Sequence, residues 1–183
     1  MITPAFVHCM ARYNSWQNDN LYACADGMSD AERKRDAGAF FGSIHGTLAH
    51  VLWGDMTWLK RFYPTSSAAP ARPGIGGFID VWPDWSDLRE RRAVFDASIV
   101  SWADGLDADY LTGDLTWTSS DGSRTSTQPK WLLVTHFFNH QTHHRGQVHC
   151  LLTQAGRKPE DTDLMLLRTP DIPRMTEHSA RKI

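Results

Sequence analysis

Trp131-Leu-Leu-Val-Thr-His136-Phe-Phe-Asn-His140-Gln-Thr-His143-His144-Arg-Gly-Gln147-Val-His149-Cys150 carries five of the chain's nine histidines. At about 100° per residue, Leu133, Phe137, His140, His144, Val148 and Leu151 fall on one helical face. His140 and His144 sit near its middle, His136 and His143 towards one edge, and His149 on the opposite side. A neutral imidazole among Leu and Phe needs a partner for each ring nitrogen, because an unpaired buried polar group is costly. A hydrogen-bonded pair is the plainer way to meet that need. A single metal ion is the other, and the i, i+4 spacing is that of H-E-x-x-H zinc helices, here without their glutamate base. His136, His140 and His144 cannot all hold one ion. Eight residues of helix rise roughly 12 Å, whereas ligand nitrogens lie about 2.0–2.1 Å from the metal. The helix therefore offers two ligands, and a third must come from elsewhere.

The rest of the chain bounds what such a site can belong to. Its 183 residues suffice for one well-buried core and are few for two. A net charge of −2 argues against a nucleic-acid module built on phosphate contacts. Cys9, Cys24 and Cys150 form no CxxC pair and are odd in number, the usage of free thiols in a reducing cytoplasm. The opening Met1-Ile-Thr-Pro lacks the features of a signal peptide, and no segment approaches the ~20 apolar residues of a membrane span. Eight tryptophans hint at an interface as well as a core.

From about Pro4 to Gly27, Phe6, Met10, Tyr13, Trp16, Leu21 and Cys24 recur near helical period. Asn14 and Asn18 are expected on the solvated side of this helix. Ser29-Asp-Ala-Glu32 has the spacing of a capping box. A long helix is predicted from about Gly38 to Phe62, with Phe40, Phe41, Ile44, Leu48, Val51, Leu52, Leu59 and Phe62 as its apolar stripe. A second stripe of Ser43, Gly46, Thr47, His50, Gly54 and Thr57 pairs a histidine with small residues that leave room beside it. His50 is thus a candidate third ligand, with His45 as its rival. Asp55 falls inside the apolar stripe and requires a partner: a ligand histidine's second nitrogen, an arginine, or a neighbouring subunit.

Pro64 to Pro83 is long for a connection, either an active-site cover or simply a mobile segment, the latter being the plainer reading. A third helix is predicted from Ser86 to about Leu106, with Leu88, Val94, Phe95, Ile99 and Trp102 apolar. Threonines and tryptophan around Asp121-Gly122 signal a β-hairpin within Leu111–Gln128. Pro129 then admits the histidine-rich helix, which should stop near Ala155-Gly156. A short helix is expected at Asp163–Leu167. The predicted fold class is all-α: four long helices in a bundle, with a small hairpin before the last. Residues 1–170 form one domain in this reading, and 171–183 a loosely ordered tail.

Ser43-Ile-His45-Gly-Thr47-Leu-Ala-His50-Val-Leu-Trp-Gly-Asp55-Met-Thr-Trp58-Leu, together with His136-Phe-Phe-Asn-His140-Gln-Thr-His143-His144-Arg-Gly-Gln147, resembles the DinB (damage-inducible, YfiT-like) family. Tyr13-Asn14-Ser-Trp16 and Gly156…Asp163-Leu164 are similar to it as well. The resemblance implies a bundle of up-down-down-up connection, often homodimeric, in a stress-response setting. It also implies a divalent metal on one histidine of the second long helix and two of the last, here His50, His140 and His144. Relatives include transferases and isomerases that use a low-molecular-weight thiol, and others that resemble hydrolases.

The expected function is that of a metal-dependent enzyme acting on a small-molecule substrate, with a non-catalytic metal- or ligand-binding protein as the alternative. Zn or Ni are the expected ions, with Fe or Mn as further options. No nucleic acid or membrane is expected as a partner. Asp55 and His143 are the candidates for a general base.

Overall fold

The computed structural model describes residues 2–168; the tail expected at 171–183 lies outside them. Helix α1 spans Pro4–Asp26, α2 Asp30–Lys34, α3 Ile44–Phe62, α4 Phe78–Val81, α5 Trp85–Asp104, α6 Ala108–Thr112 and α7 Lys130–Gln154. Strands β1 (Asp114–Thr118) and β2 (Thr125–Pro129) pair antiparallel, Trp117 opposite Ser126. The described residues are mostly helical with one two-stranded sheet.

Local chemistry sets these limits. Thr3, Ser43, Asp84 and Asp107 each accept a backbone N–H of the first turn they precede. Ser29 and Glu32 exchange both bonds of a capping box. The hairpin turns at Asp121-Gly122, with Gly122 at φ 72°. It is pinned to α3 by Arg61, whose guanidinium donates to the Thr118 carbonyl at 2.8 Å and lies 4.5 and 5.0 Å from the Trp58 and Trp117 ring centres.

The four long helices close a ring of contacts: α1 packs on α5 and α7, and α3 packs on α7 and α5. Leu21, Leu48, Leu52, Leu59, Leu88, Ile99, Phe137, Phe138 and Leu152 fill the middle, each at most 1% exposed. Each such side chain contributes roughly 1.5–3 kcal/mol on burial.

The structure departs from the sequence expectations at several places. Helix α3 begins at Ile44 rather than near Gly38, because Ser43 caps it and residues 39–42 form a tight turn closed by an Ala39–Gly42 bridge. Gly42 takes φ 76°, which a side chain would resist. Phe40, expected in the apolar stripe, is therefore outside the helix and 63% exposed. Val94 is likewise 64% exposed, because it lies on the side of α5 away from the buried Leu88, Arg92, Phe95, Asp96, Ile99 and Trp102. The Pro64–Pro83 segment carries a 3-10 turn (Ile75–Gly77), α4, and the buried Phe78 and Trp82. Trp53 Nε1 donates to the Pro70 carbonyl at 2.9 Å, and His45 Nε2 meets the Trp82 carbonyl at 2.7 Å. The segment is thus strapped to α3, not loose.

Candidate metal centre

The turn at 39–42, helix α3 and helix α7 meet at three imidazoles. Ligand-capable nitrogens of His50, His140 and His144 all lie within 4.8 Å of one another. The Nε2 atoms of His50 and His140 are 3.2 Å apart. Two lone pairs cannot face each other at that distance; one shared proton or one cation between them is required. For bonds of 2.0–2.1 Å at the tetrahedral angle, two ligand nitrogens sit about 3.3–3.4 Å apart, so the spacing already suits an ion. His144 Nδ1 pairs with Gln147 Oε1 at 2.8 Å. An amide oxygen only accepts, so Nδ1 carries the proton and Nε2 keeps its lone pair.

Gly54 makes the space for His140. A Cβ there would stand 2.9 Å from His140 Cε1. On the other side, the Phe41 ring stacks on His50 with centres 3.7 Å apart, and Phe78 meets His50 edge-on at 4.7 Å. Both phenylalanines are buried and keep water from that flank.

The rings are poised as neutral donors. Burial lowers His50 to about 2, helped by His140, His144 and the Arg72 cation. Burial, then His144, His136 and His143, lowers His140 to about 3. His144 is lowered for the same first reason. No proton has to be displaced from them at neutral pH. The Nδ1 atoms of His50 and His140 are buried without a hydrogen-bond partner among the described residues.

The other sequence candidates separate cleanly. His45 is buried and spends Nε2 on the Trp82 carbonyl, outside the three-histidine group. His136 packs against Trp58, ring centres 5.1 Å apart. His143 is exposed and lies 3.3 Å from Gln147 Nε2. Asp55 finds an arginine, the second of the three expected partners: its Oδ2 accepts from Arg92 at 2.7 Å and its Oδ1 from Gln141 at 3.0 Å. Fully buried and so engaged, it is not free to act as a base. Burial outweighs Arg92 and raises its carboxyl to about 6, still ionised at pH 7.

Asn14 and Asn18, expected in solvent, are buried and both donate to Asp96 Oδ1, at 2.9 and 3.0 Å. Arg92, Asp96, Gln141 and Arg145 were not anticipated as core residues. The signal available was their spacing: Arg92 and Asp96 at i, i+4 on α5, Gln141 and Arg145 at i, i+4 beside the histidines. Among the described residues, no helix is long and apolar enough to cross a membrane. No curated protein matches this chain. The DinB family model matches residues 1–175, nearly the whole sequence, and the chain accordingly belongs to the DinB family.

Proposed function

We propose that His50, His140 and His144 together hold one divalent metal ion, Zn or Ni before Fe or Mn, and that the protein is a metal-dependent enzyme. The observation that carries the reading is the convergence of three neutral imidazoles from two long helices within 4.8 Å. Among the described residues no cysteine, aspartate, glutamate or fourth histidine joins that group. Three protein ligands are the complement of catalytic rather than closed structural zinc sites, which favours turnover over storage. A bound divalent ion supplies Lewis acidity, able to bring the pKa of a coordinated water or thiol towards neutrality.

The chain's own groups divide the remaining work. Gln147 holds the His144 proton on Nδ1, Gly54 leaves His140 its place, and Phe41 and Phe78 shield His50. With Asp55 committed to Arg92, the hydrolytic branch keeps only His143 as a candidate base. Transfer or isomerisation with a low-molecular-weight thiol, acting on a small-molecule substrate, needs no such base and is the branch we favour. We read the four long helices as an up-down-down-up bundle and residues 1–170 as one domain. In the same reading the protein is a cytoplasmic homodimer of the stress response.

Untagged protein from metal-replete cells should contain about one ion per chain, and chelation should lower its melting temperature. His50→Ala, His140→Ala and His144→Ala should each abolish the chelator effect, whereas His45→Ala and His149→Ala should leave it. Protein that is metal-free and indifferent to chelator would refute the metal reading. Tight metal binding without turnover across thiol-dependent and hydrolytic screens would favour the binding protein instead.

A further inference from the structure

One layer inward from the histidines lies a buried polar circuit that passes through all four long helices. Asp55 on α3 accepts from Arg92 on α5 at 2.7 Å. Arg92 grips Asp96 with two bonds, of 2.7 and 3.0 Å. Asp96 accepts from Asn14 and Asn18 on α1. Asn14 Oδ1 accepts from Arg145 on α7. Gln141, one turn before Arg145, donates back to Asp55 at 3.0 Å. Each of the seven side chains is at most 5% exposed. Two aspartates and two arginines make the circuit neutral.

Its two members on α7 directly follow the two α7 histidines of the site, Gln141 after His140 and Arg145 after His144. Among the described residues, the side-chain hydrogen bonds joining α3 to α7 are Gln141–Asp55 and the His50–His140 contact itself. The circuit therefore holds α7 at two points a turn apart, each adjacent to a histidine of the site. That matters because a side-chain tip stands about 5–6 Å from a helix axis. A rotation of α7 by about 5° would move a ligand nitrogen by about 0.5 Å, beyond the ±0.2 Å that a metal site tolerates. Packing of Leu and Phe resists such a turn weakly, since apolar contact has no direction. The hydrogen bonds of the Gln141 amide nitrogen and the Arg145 guanidinium do have one.

We propose that this circuit is a positioning device for the three-histidine site, setting the rotation and register of α7 against α3. Buried charges are a poor source of stability, because desolvation consumes most of what their attraction returns, and apolar cores of equal volume often do as well. Directional placement is what an apolar core lacks. The inference rests on the reading that the histidines hold a metal.

The test uses the full chain loaded with zinc or cobalt(II). Gln141→Met keeps volume, adds no charge and removes the link from α7 to Asp55. Leu152→Ala, a buried α7 residue two turns beyond His144, is the control for lost stability. Zinc affinity, measured by competition with a chromophoric chelator, should fall about 10- to 100-fold in Gln141→Met and stay near wild type in Leu152→Ala. The cobalt(II) d–d spectrum, which reports ligand geometry, should change in Gln141→Met alone.

A second variant removes all four charges together: Asp55→Leu, Arg92→Met, Asp96→Leu and Arg145→Met. It should melt near wild type yet bind zinc weakly. If it does not fold, Gln141→Met decides the matter by itself. Wild-type affinity and an unchanged cobalt spectrum in Gln141→Met would overturn the proposal while the metal reading stands. A wild type that binds neither zinc nor cobalt would overturn the metal reading, and this one with it.

Discussion

Gly54→Ala sets the fold and the site against each other. The new Cβ would stand 2.9 Å from His140 Cε1, where ordinary contact begins at 3.4 Å. The imidazole is the free end of a side chain and can swing aside, so the helix itself need not move. The ring must retreat by about 0.5 Å, more than twice the ±0.2 Å tolerance of a metal–nitrogen bond. A loss of that kind costs on the order of 10- to 100-fold in metal affinity. The metal-free protein should meanwhile gain, because alanine in a helix interior is favoured over glycine by roughly 0.5–1 kcal/mol. At a metal concentration a hundredfold above Kd, the ion adds ~2.7 kcal/mol to the stability of wild type. After a hundredfold loss of affinity that increment falls to about 0.4 kcal/mol. Thermal melts with and without EDTA read both quantities. Gly54→Ala should melt as high as wild type, or higher, in EDTA, and respond far less to added zinc. An undiminished zinc response would refute the argument that Gly54 exists to seat His140.

The pH dependence of the metal-free protein follows from the lowered histidines. With His50 at about 2 and His140 at about 3, the unfolded chain binds more protons than the folded one below pH ~6.5. Their contribution is complete above pH ~6.5 and drains as pH falls, by up to ~1.4 kcal/mol per pH unit per ring. Asp55, raised to about 6, has the opposite sign between pH ~4 and 6 and blunts the slope there. Urea unfolding at pH 7.5, 6.5 and 5.5 in EDTA should show the decline, and His50→Ala/His140→Ala should flatten it; parallel slopes would contradict the assignment. Asp55→Leu, made alone, strips Arg92 of one of its two carboxylates inside the core and should cost about 3–5 kcal/mol in denaturant unfolding; a loss below 1 kcal/mol would mean that the pair carries little. Trp53→Phe removes the bond to the Pro70 carbonyl, so elastase should cut after Ala68 or Ala71 faster than in wild type; an unchanged cleavage rate would show that Phe78 and Trp82 hold the strap without it.

The long helices were legible because their signals are local. The Ser29 capping box, the Asp121-Gly122 turn and the apolar recurrences act within a few residues, and the sequence displays them directly; the Ser43 cap is just as local, and missing it put the start of α3 near Gly38 instead of Ile44. His140 and His144 were legible for the same reason, being four apart on one helix. The polar core was not. Asn14 and Asn18 look like a solvated pair until Asp96, some eighty residues away, is brought against them. Burial of a polar residue is decided by its partner, and no periodicity on its own helix reveals one that sits on another. His50 was only half legible. Its angle on α3 placed it off the apolar stripe, and it is there because the stripe's centre holds the core while the site lies at its margin. The Pro64–Pro83 segment was misjudged because its anchors, Phe78 and Trp82, are two side chains in a stretch without period.

The charges around the two layers bear on what kind of ligand the site would take. The aspartates of the inner circuit are matched by Arg92 and Arg145. Around the outer layer, the cations that act on His50 and His136 are Arg72 and Arg61, the remaining neighbours of these rings being other histidines; no carboxylate is among the groups acting on His50, His136, His140 and His144. Three neutral imidazoles leave a divalent ion with its full charge, in surroundings that add positive rather than negative potential. Compensation then has to arrive with the exogenous ligand, which favours a thiolate or other anion over a neutral molecule of the same shape. The cobalt(II)-loaded protein offers a direct comparison. A small thiol titrated at pH 7.5 should perturb the d–d spectrum and add a sulfur-to-metal charge-transfer band, while its S-methyl thioether should do neither at the same concentration. Equal binding of the two would sink the electrostatic argument, and with it the reason for preferring thiol chemistry at this site.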